Sequence, residues 1–308
     1  MPASSQQGNA LLVIGFVLLW NSGFIGAEFG LDYTGVFTLL AWRYGLLALV
    51  LLVYLAMRGR LYWPGPRAVG LTAVVGLFAH GIWLSCVMLS LQLGIPAGIV
   101  ALVVALQPMT VGALSGRVTG EPTSTISWIG LGVGFAGVLI AVLGRAGLDD
   151  GPSLPAYLVP FGAVIAFTVA SLLQRRIEVY TPADHIPVAL ALFYQCVATG
   201  LVALIPAIAL EGMATHWTVE FAAILGWLIF AVSLAAYDLM WRLIERMDAT
   251  RVASLFYFGP PVTMLMAWIA FGDTLQRDDL IGLAVISVGV LLVQSAQRLR
   301  TRHRNRHM

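Results

Sequence analysis

Residues 97–121 read AGIVALVVALQPMTVGALSGRVTGE, and residues 249–273 read ATRVASLFYFGPPVTMLMAWIAFGD. The two stretches align without a gap at an offset of 152 residues, and the alignment extends over 97–140 and 249–292. Pro108 meets Pro260, Gly120 meets Gly272, and Glu121 meets the equally acidic Asp273. Because a shared apolar composition explains matched leucines but not a matched proline, glycine and acid, we predict an internal duplication.

The composition around this repeat is that of a membrane protein. Hydrophobic residues make up 59% of the chain, charged residues only 10%, and the mean hydropathy is +0.89. A soluble domain carries about 25% charged residues, whereas lipid accepts an apolar surface. The sequence therefore predicts an all-α protein embedded in a bilayer.

About 20 apolar residues are needed to cross the hydrocarbon core, and a sliding window of that length gives ten candidate helices. The first is interpreted as a span, and not as a removable signal peptide, because no basic residue precedes it and no small-residue cleavage pattern follows it. The predicted spans are 10–28, 35–57, 68–92, 96–116, 124–144, 155–174, 186–210, 219–242, 249–271 and 279–297.

The arginines predict the orientation of these spans. The chain has 17 basic residues, all of them arginine. Fourteen fall in loops or termini on one predicted side, and only Arg145 and Arg277 fall on the other. By the positive-inside rule, both termini are predicted to be cytoplasmic in a bacterial inner membrane.

An offset close to half the chain gives two units, 1–150 and 151–308, with five predicted helices each. An odd number of crossings inserts the second unit upside down, which would place Glu121 and Asp273 on opposite sides. We therefore expect ten transmembrane helices arranged as two inverted five-helix repeats around a central cavity. Inverted repeats are typical of secondary transporters, whose solute site lies near the midplane between the repeats.

Several motifs resemble those of the drug/metabolite transporter superfamily, and within it the ten-helix EamA type. They are the run WNSGFIG at 20–26, Arg43 in the second span, and the repeated run from Pro108 to Glu121 and from Pro260 to Asp273. The resemblance covers essentially the whole chain. It implies a cavity lined by helices 1–4 and 6–9, peripheral helices 5 and 10, and export of amino acids, aromatic or other neutral ones, or of other metabolites.

Polar side chains inside predicted spans are the candidates for lining the solute path, because burying them in lipid is costly. Arg43 is predicted to hold a solute carboxylate, or else to bond to backbone carbonyls of a neighbouring helix. His80 and Trp83 lie on one face of the third span, where the imidazole could bind the solute, relay a proton, or bond to an adjacent helix.

A second group combines aromatic contact area with a few polar atoms, which suits an amphipathic solute. The group consists of Trp20, Asn21, Gln107, Tyr237 and Tyr257. Pro108 and Pro260 are predicted to kink their helices beside the cavity and to act as hinges.

Asp238 is a candidate for proton coupling, and the spacing to Arg242 equally allows a helix-surface ion pair. Gly130 and Gly137 in the fifth span, with Gly282 and Gly289 in the tenth, form a small-residue face for close helix contact. That contact could lie within the monomer or in a homodimer.

The expected partners are a small-molecule solute and the lipid bilayer, without nucleic acid, metal or cofactor. Cys86 and Cys196 lie in apolar stretches and predict neither a disulfide nor a metal site. An intramembrane enzyme is disfavoured because no metalloprotease motif or nucleophile elbow is present. A channel is disfavoured by the duplication, and phosphorylated solutes by the shortage of buried cations. A broad-specificity drug exporter is the alternative that stays open.

Overall fold

The computed structural model describes residues 3–114, 125–146, 152–181, 186–246, 252 and 255–304. All regular structure within these ranges is helical, apart from one isolated bridge between Thr34 and Thr215. Glu121 lies outside the described residues. The helices, with contiguous segments joined, are α1 Ala3–Leu31, α2 Val36–Met57, α3 Pro66–Gln92, α4 Ala97–Leu114, α5 Thr125–Ala146, α6 Leu154–Tyr180, α7 Val188–Glu211, α8 Val219–Arg246, α9 Phe256–Phe271 and α10 Arg277–Arg304.

Eight of the helices in the described ranges, α1 to α8, are long and apolar enough to cross a membrane. The shorter helix α9 is also apolar. Glycines in the left-handed conformation end two helices: Gly212, with φ 60°, follows α7, and Gly272, with φ 75°, follows α9. A residue with a β-carbon is strained in this conformation, so these glycines allow the chain to reverse direction tightly.

Most helices of the first half pack against helices of the second half. The most extensive contacts join α5 to α10 and α2 to α7, while α1 packs on α8 and α9, and α3 packs on α6. One large apolar cluster fills the space between these pairs, with Leu39, Val100, Met109 and Leu228 fully or almost fully buried. The two halves therefore share this large core.

The α5–α10 contact is unusually close because it is made by glycines. A β-carbon at Gly130 would lie 2.7 Å from the carbonyl oxygen of Gly289, and one at Gly137 would lie 2.7 Å from that of Gly282. The helices therefore run antiparallel. Under the offset of 152 residues, Gly130 corresponds to Gly282 and Gly137 to Gly289. Gly130 therefore contacts the counterpart of Gly137, and Gly137 contacts the counterpart of Gly130. The small-residue face is used within one chain.

One end of the bundle, here named the latched end, is closed by polar contacts between the two halves. It comprises the connections 32–35, 212–218 and 272–276 together with Glu211, Arg145 and Asp279. Thr34 pairs with Thr215, and the Glu211 carboxylate accepts a hydrogen bond of 2.7 Å from the backbone N–H of Thr38 at the start of α2. A carboxylate at a helix N-terminus is stabilised by the unpaired amides there.

A buried ion pair fixes α5 to α10 at the same end. Arg145 donates from Nε to Asp279 Oδ1 at 2.9 Å and from Nη2 to the carbonyl oxygen of Thr274 at 3.0 Å. Asp279 is fully buried and also accepts a hydrogen bond from the backbone N–H of Gln276. Nearby, burial raises the pKa of Asp273, and the positive charge of Arg145 opposes that shift.

Replacing Asp279 by asparagine should lower stability strongly, because it removes the carboxylate that is hydrogen-bonded to the buried Arg145 guanidinium. Breaking a buried pair in this way costs about 3–5 kcal/mol. Thermal unfolding of the detergent-solubilised protein measures the loss, with Asp32→Asn, an exposed acid at the same end, as the matched control. The double variant Arg145→Met/Asp279→Leu should recover most of the stability; equal melting temperatures for Asp279→Asn and Asp32→Asn would contradict this account.

Candidate functional site

A cavity of about 50 Å³ lies between α1, α2, α3 and α8 in the middle of the bundle. Its wall includes five residues that the sequence singles out. They are Trp20, Arg43, His80, Trp83 and Tyr237. We call this space the arginine cavity.

A second cavity, of about 220 Å³, lies between α1, α3, α4, α6 and α9. It shares Trp20, Phe24 and Trp83 with the arginine cavity, so the two spaces adjoin along this aromatic wall. It also contains four further residues that the sequence singles out, namely Asn21, Gln107, Pro108 and Pro260. We call it the proline cavity.

Arg43 enters the arginine cavity from α2 and is only 5% exposed. Its Nη2 and Nε atoms lie 2.9 and 3.3 Å from the hydroxyl oxygen of Ser233 on α8. That hydroxyl in turn donates to the carbonyl oxygen of Leu228. The guanidinium is thus held by a neutral acceptor of the opposite half, and not by a carboxylate.

His80 takes part in a second polar contact between the two halves, which corresponds to the contact between Arg43 and Ser233. Its Nε2 lies 3.2 Å from Gln195 Oε1 on α7, and its ring lies 5.5 Å from that of Tyr44. Gln195 corresponds to Arg43 under the offset of 152 residues. Arg43 on α2 of the first half therefore bonds to Ser233 on α8 of the second half. Its repeat counterpart Gln195, on α7 of the second half, bonds to His80 on α3 of the first half.

Both partners lie in widened helical turns. A π-helical segment spans Leu77–Ile82 in α3, and another spans Trp227–Ala235 in α8. The offset of 152 places 77–82 on 229–234, inside the second segment. Single π turns within α-helices occur mostly at functional positions, where they change the direction of side chains.

Two side chains in the cavity walls have a buried donor atom without an acceptor. They are Trp83, through Nε1, and Gln107, through Nε2. Gln107 is only 6% exposed. A buried polar group without a partner costs about 1–3 kcal/mol, so these donors favour an occupant that accepts hydrogen bonds.

The two prolines interrupt their helices at the proline cavity. In α4 the first segment ends at Val104, and the second begins at Gln107, directly before Pro108. In α9 a 3₁₀ turn, Phe256–Phe258, precedes the α-helical segment that begins at Gly259. Each proline lies in the first turn of a segment, where a missing N–H is tolerated.

Asp238 and Tyr257, two of the predicted site residues, do not line either cavity, and Asn21 lines the proline cavity while its side chain joins two helices. Asn21 bonds to Thr263 and to the carbonyl oxygen of Val17, which ties α1 to α9. Asp238 forms an ion pair of 2.7 Å with Arg242 at a position where both side chains are more than half exposed. Tyr257 packs against the main apolar core.

Sequence reasoning missed several residues of the walls. Phe256 stands in the proline cavity in place of its neighbour Tyr257, because the 3₁₀ turn there rotates successive side chains differently from an α-helix. Ser233 was also missed, although it follows the repeat counterpart of His80 by one residue. Projecting His80 through the repeat gives Val232 and would have located Ser233 to within one residue.

Trp20 is the centre of the aromatic contacts on the α1 side. Its ring lies 5.4 Å from Tyr237 and 5.1 Å from Phe256, which belong to α8 and α9. It thus joins the two cavities and three helices. Such aromatic clusters supply contact area for an amphipathic solute.

Metal chemistry has no support in the described part of the chain. There, no group of three or more His, Cys, Asp or Glu side chains is placed to hold an ion. Cys86 is a free half-buried thiol and Cys196 a free buried one.

Comparison with known proteins gives one family and several relatives. The model of the EamA-like transporter family matches residues 8–143 and 154–295. The uncharacterized inner membrane transporter YedA of Escherichia coli (strain K12) is 26% identical over 278 residues, which cover 90% of this chain and 87% of that protein. A probable amino-acid metabolite efflux pump of Salmonella typhimurium is 25% identical over 301 residues, covering 94% of this chain and 95% of the pump.

A solved crystal structure has the same fold. It superposes with a TM-score of 0.62 over 95% of this chain and 99% of that chain, at 22% identity. The family match and the eight apolar helices of the described residues together make the chain a multi-pass membrane protein of the transporter class.

Proposed function

This chain belongs to the EamA-like transporter family, and from that premise we propose that it exports neutral amino acids, aromatic ones among them, or related small metabolites across the inner membrane by alternating access. The observation that carries the proposal is an aromatic-walled space with a few buried polar side chains, Arg43, His80 and Gln107, inside an apolar bundle. The efflux pump relative is named for amino-acid metabolites, which supports the solute class.

The architecture in this proposal is two inverted five-helix repeats, 1–150 and 151–308, with ten spans and both termini cytoplasmic. Three observations support it. Gly130 of α5 meets the repeat counterpart of Gly137 and Gly137 meets that of Gly130, the π segments of α3 and α8 lie at matching positions, and the arginines favour one side. Duplicated and oppositely inserted halves can exchange conformations, which opens a central site to each side in turn.

The route to the site is proposed to begin at the end opposite the latched end. A β-carbon at Gly98 would lie 2.5 Å from Met264 Cγ, so α4 and α9 touch closely on the side toward the latched end. Around Pro108 and Pro260 the proline cavity lies between the same two helices. We therefore propose that solute enters past the prolines and leaves when the latched end opens.

The combined space also bears on the alternative of a broad-specificity drug exporter. Ligand sites usually measure about 300–1,000 Å³. The cavities, of about 50 and 220 Å³, are both smaller than that range, which favours a solute of amino-acid size over a bulky drug.

Counterflow into liposomes containing the purified full-length protein tests the proposal. Vesicles preloaded with unlabelled phenylalanine, leucine or an N-acyl derivative should accumulate the labelled solute, and vesicles without protein should not. His80→Ala and Trp83→Ala should each lower the flux about tenfold, equivalent to about 1.4 kcal/mol, because both residues face the arginine cavity. Trp128→Ala, at an exposed tryptophan of α5, is the matched control and should have no effect.

Absence of protein-dependent flux for every member of the panel would overturn the amino acid proposal. Accumulation of bulky hydrophobic cations in the same vesicles would then favour the drug exporter. Loss of folded protein in His80→Ala, seen in size-exclusion chromatography, would indicate a structural role for the His80–Gln195 contact.

A further inference from the structure

The arginine cavity contains a buried positive charge that no carboxylate of the described residues neutralises. The ion pairs described for the chain join Arg145 to Asp279 and Arg242 to Asp238, both away from Arg43. Among the residues that the structure describes, no acidic one lines either cavity. An isolated charge inside a membrane protein is costly, so an anionic occupant would be stabilised there.

The hydrogen-bonding groups of the cavity walls also favour an anionic occupant. A guanidinium has five N–H donors, and Arg43 directs two of its nitrogens at the single oxygen of Ser233. Trp83 Nε1 and Gln107 Nε2 add two donors that lack acceptors. The site therefore offers donors in excess and lacks an anionic acceptor for an ammonium group.

From this imbalance we infer that the solute is an amphipathic carboxylate whose amine is blocked or absent, such as an N-acylated aromatic amino acid. The inference rests on the proposed function and narrows its solute class. The carboxylate binds Arg43, the acyl carbonyl accepts from Gln107 or Trp83 in the adjoining cavity, and the apolar side chain lies against the aromatic wall that includes Trp20.

This assignment gives the site a selectivity based on charge. A zwitterionic amino acid satisfies Arg43 but brings an ammonium group into a site that already holds a cation. An amino acid amide brings the ammonium and removes the carboxylate. Because a charge-assisted hydrogen bond is roughly twice as strong as a neutral one, the anion should be preferred over the amide by at least about tenfold.

Three phenylalanine derivatives of similar shape test the inference in liposomes with the full-length protein. They are N-acetylphenylalanine, phenylalanine and phenylalaninamide, which carry net charges of about −1, 0 and +1 near neutral pH. Counterflow should fall in that order. Arg43→Gln should bring the three rates to within about twofold of one another, whereas Arg43→Lys should keep the order. Arg60→Gln, the same change at an exposed position, is the control.

The unmodified protein alone keeps the test decisive if Arg43→Gln does not fold. Equal rates for the three derivatives, or faster flux of phenylalaninamide, would overturn the inference and leave the amino acid transporter proposal standing. Absence of protein-dependent flux for all three would overturn both. A second variant, Gln107→Met, should slow N-acetylphenylalanine more than 3-phenylpropionate, which lacks the acyl carbonyl; equal slowing of both would contradict the role of Gln107.

Discussion

Replacing Gly289 by leucine should abolish the recovery of monodisperse protein, and replacing it by alanine should lower the melting temperature by about 5–10 °C. A β-carbon at Gly289 would lie 2.6 Å from the carbonyl oxygen of Gly130 and 2.7 Å from the backbone nitrogen of Gly134. Backbone atoms cannot rotate away as a side chain can, so α5 and α10 must separate and lose contacts along their length. Fluorescence-detected size-exclusion chromatography and thermal unfolding in detergent measure the effect.

Gly132 provides the matched control, because nothing lies within 4 Å of a β-carbon built there. Gly132→Ala should leave the elution profile and the melting temperature unchanged. If Gly289→Leu instead gave a folded protein of half the apparent mass, the glycine face would serve a homodimer, and the contact within the chain would be wrong.

Oxidation of the double variant Thr34→Cys/Thr215→Cys should reduce counterflow at least tenfold, and a reductant should restore it. Thr34 and Thr215 lie opposite each other in an antiparallel bridge between the two halves. Facing residues of antiparallel chains have Cα atoms about 4.5–5.5 Å apart, within the range that a disulfide spans. If the latched end must open to release solute, a covalent bond across it stops the cycle.

The two single-cysteine variants, treated with the same oxidant, control for effects on the free Cys86 and Cys196. Mass spectrometry of digested protein establishes that the bond has formed. A fully cross-linked protein with unchanged flux would show that the latched end stays closed during transport, which would contradict alternating access at this end. The solute site itself would not be affected by that outcome.

The positions of the membrane helices were largely predictable, because long apolar runs have few alternatives in a bilayer. The fourth predicted span, 96–116, compares with Ala97–Leu114 in the structure. The ends were less predictable where helices continue into polar sequence. Helix α6 extends to Tyr180 rather than 174, and α10 extends to Arg304 rather than 297, since hydropathy detects the lipid-buried part of a helix and not its hydrogen bonding.

The lining of the cavities was predictable where a polar residue stands out in an apolar helix, as with Arg43, His80 and Gln107. It was not predictable where backbone geometry departs from the α-helix. Phe256 lines the cavity in place of Tyr257 because of a 3₁₀ turn, and Ser233 reaches Arg43 from a π segment. Neither departure leaves a mark in hydropathy or in the spacing of apolar residues.

Helices α3 and α8 do not keep a constant angular phase along their length. Each widened turn accommodates roughly one extra residue, so residues before Leu77 or Trp227 and residues after Ile82 or Ala235 follow separate helical wheels. A lipid-facing stripe drawn along the first part of either helix therefore points in a different direction in the second part. Scanning mutagenesis of these two helices has to be interpreted with one wheel on each side of the π segment.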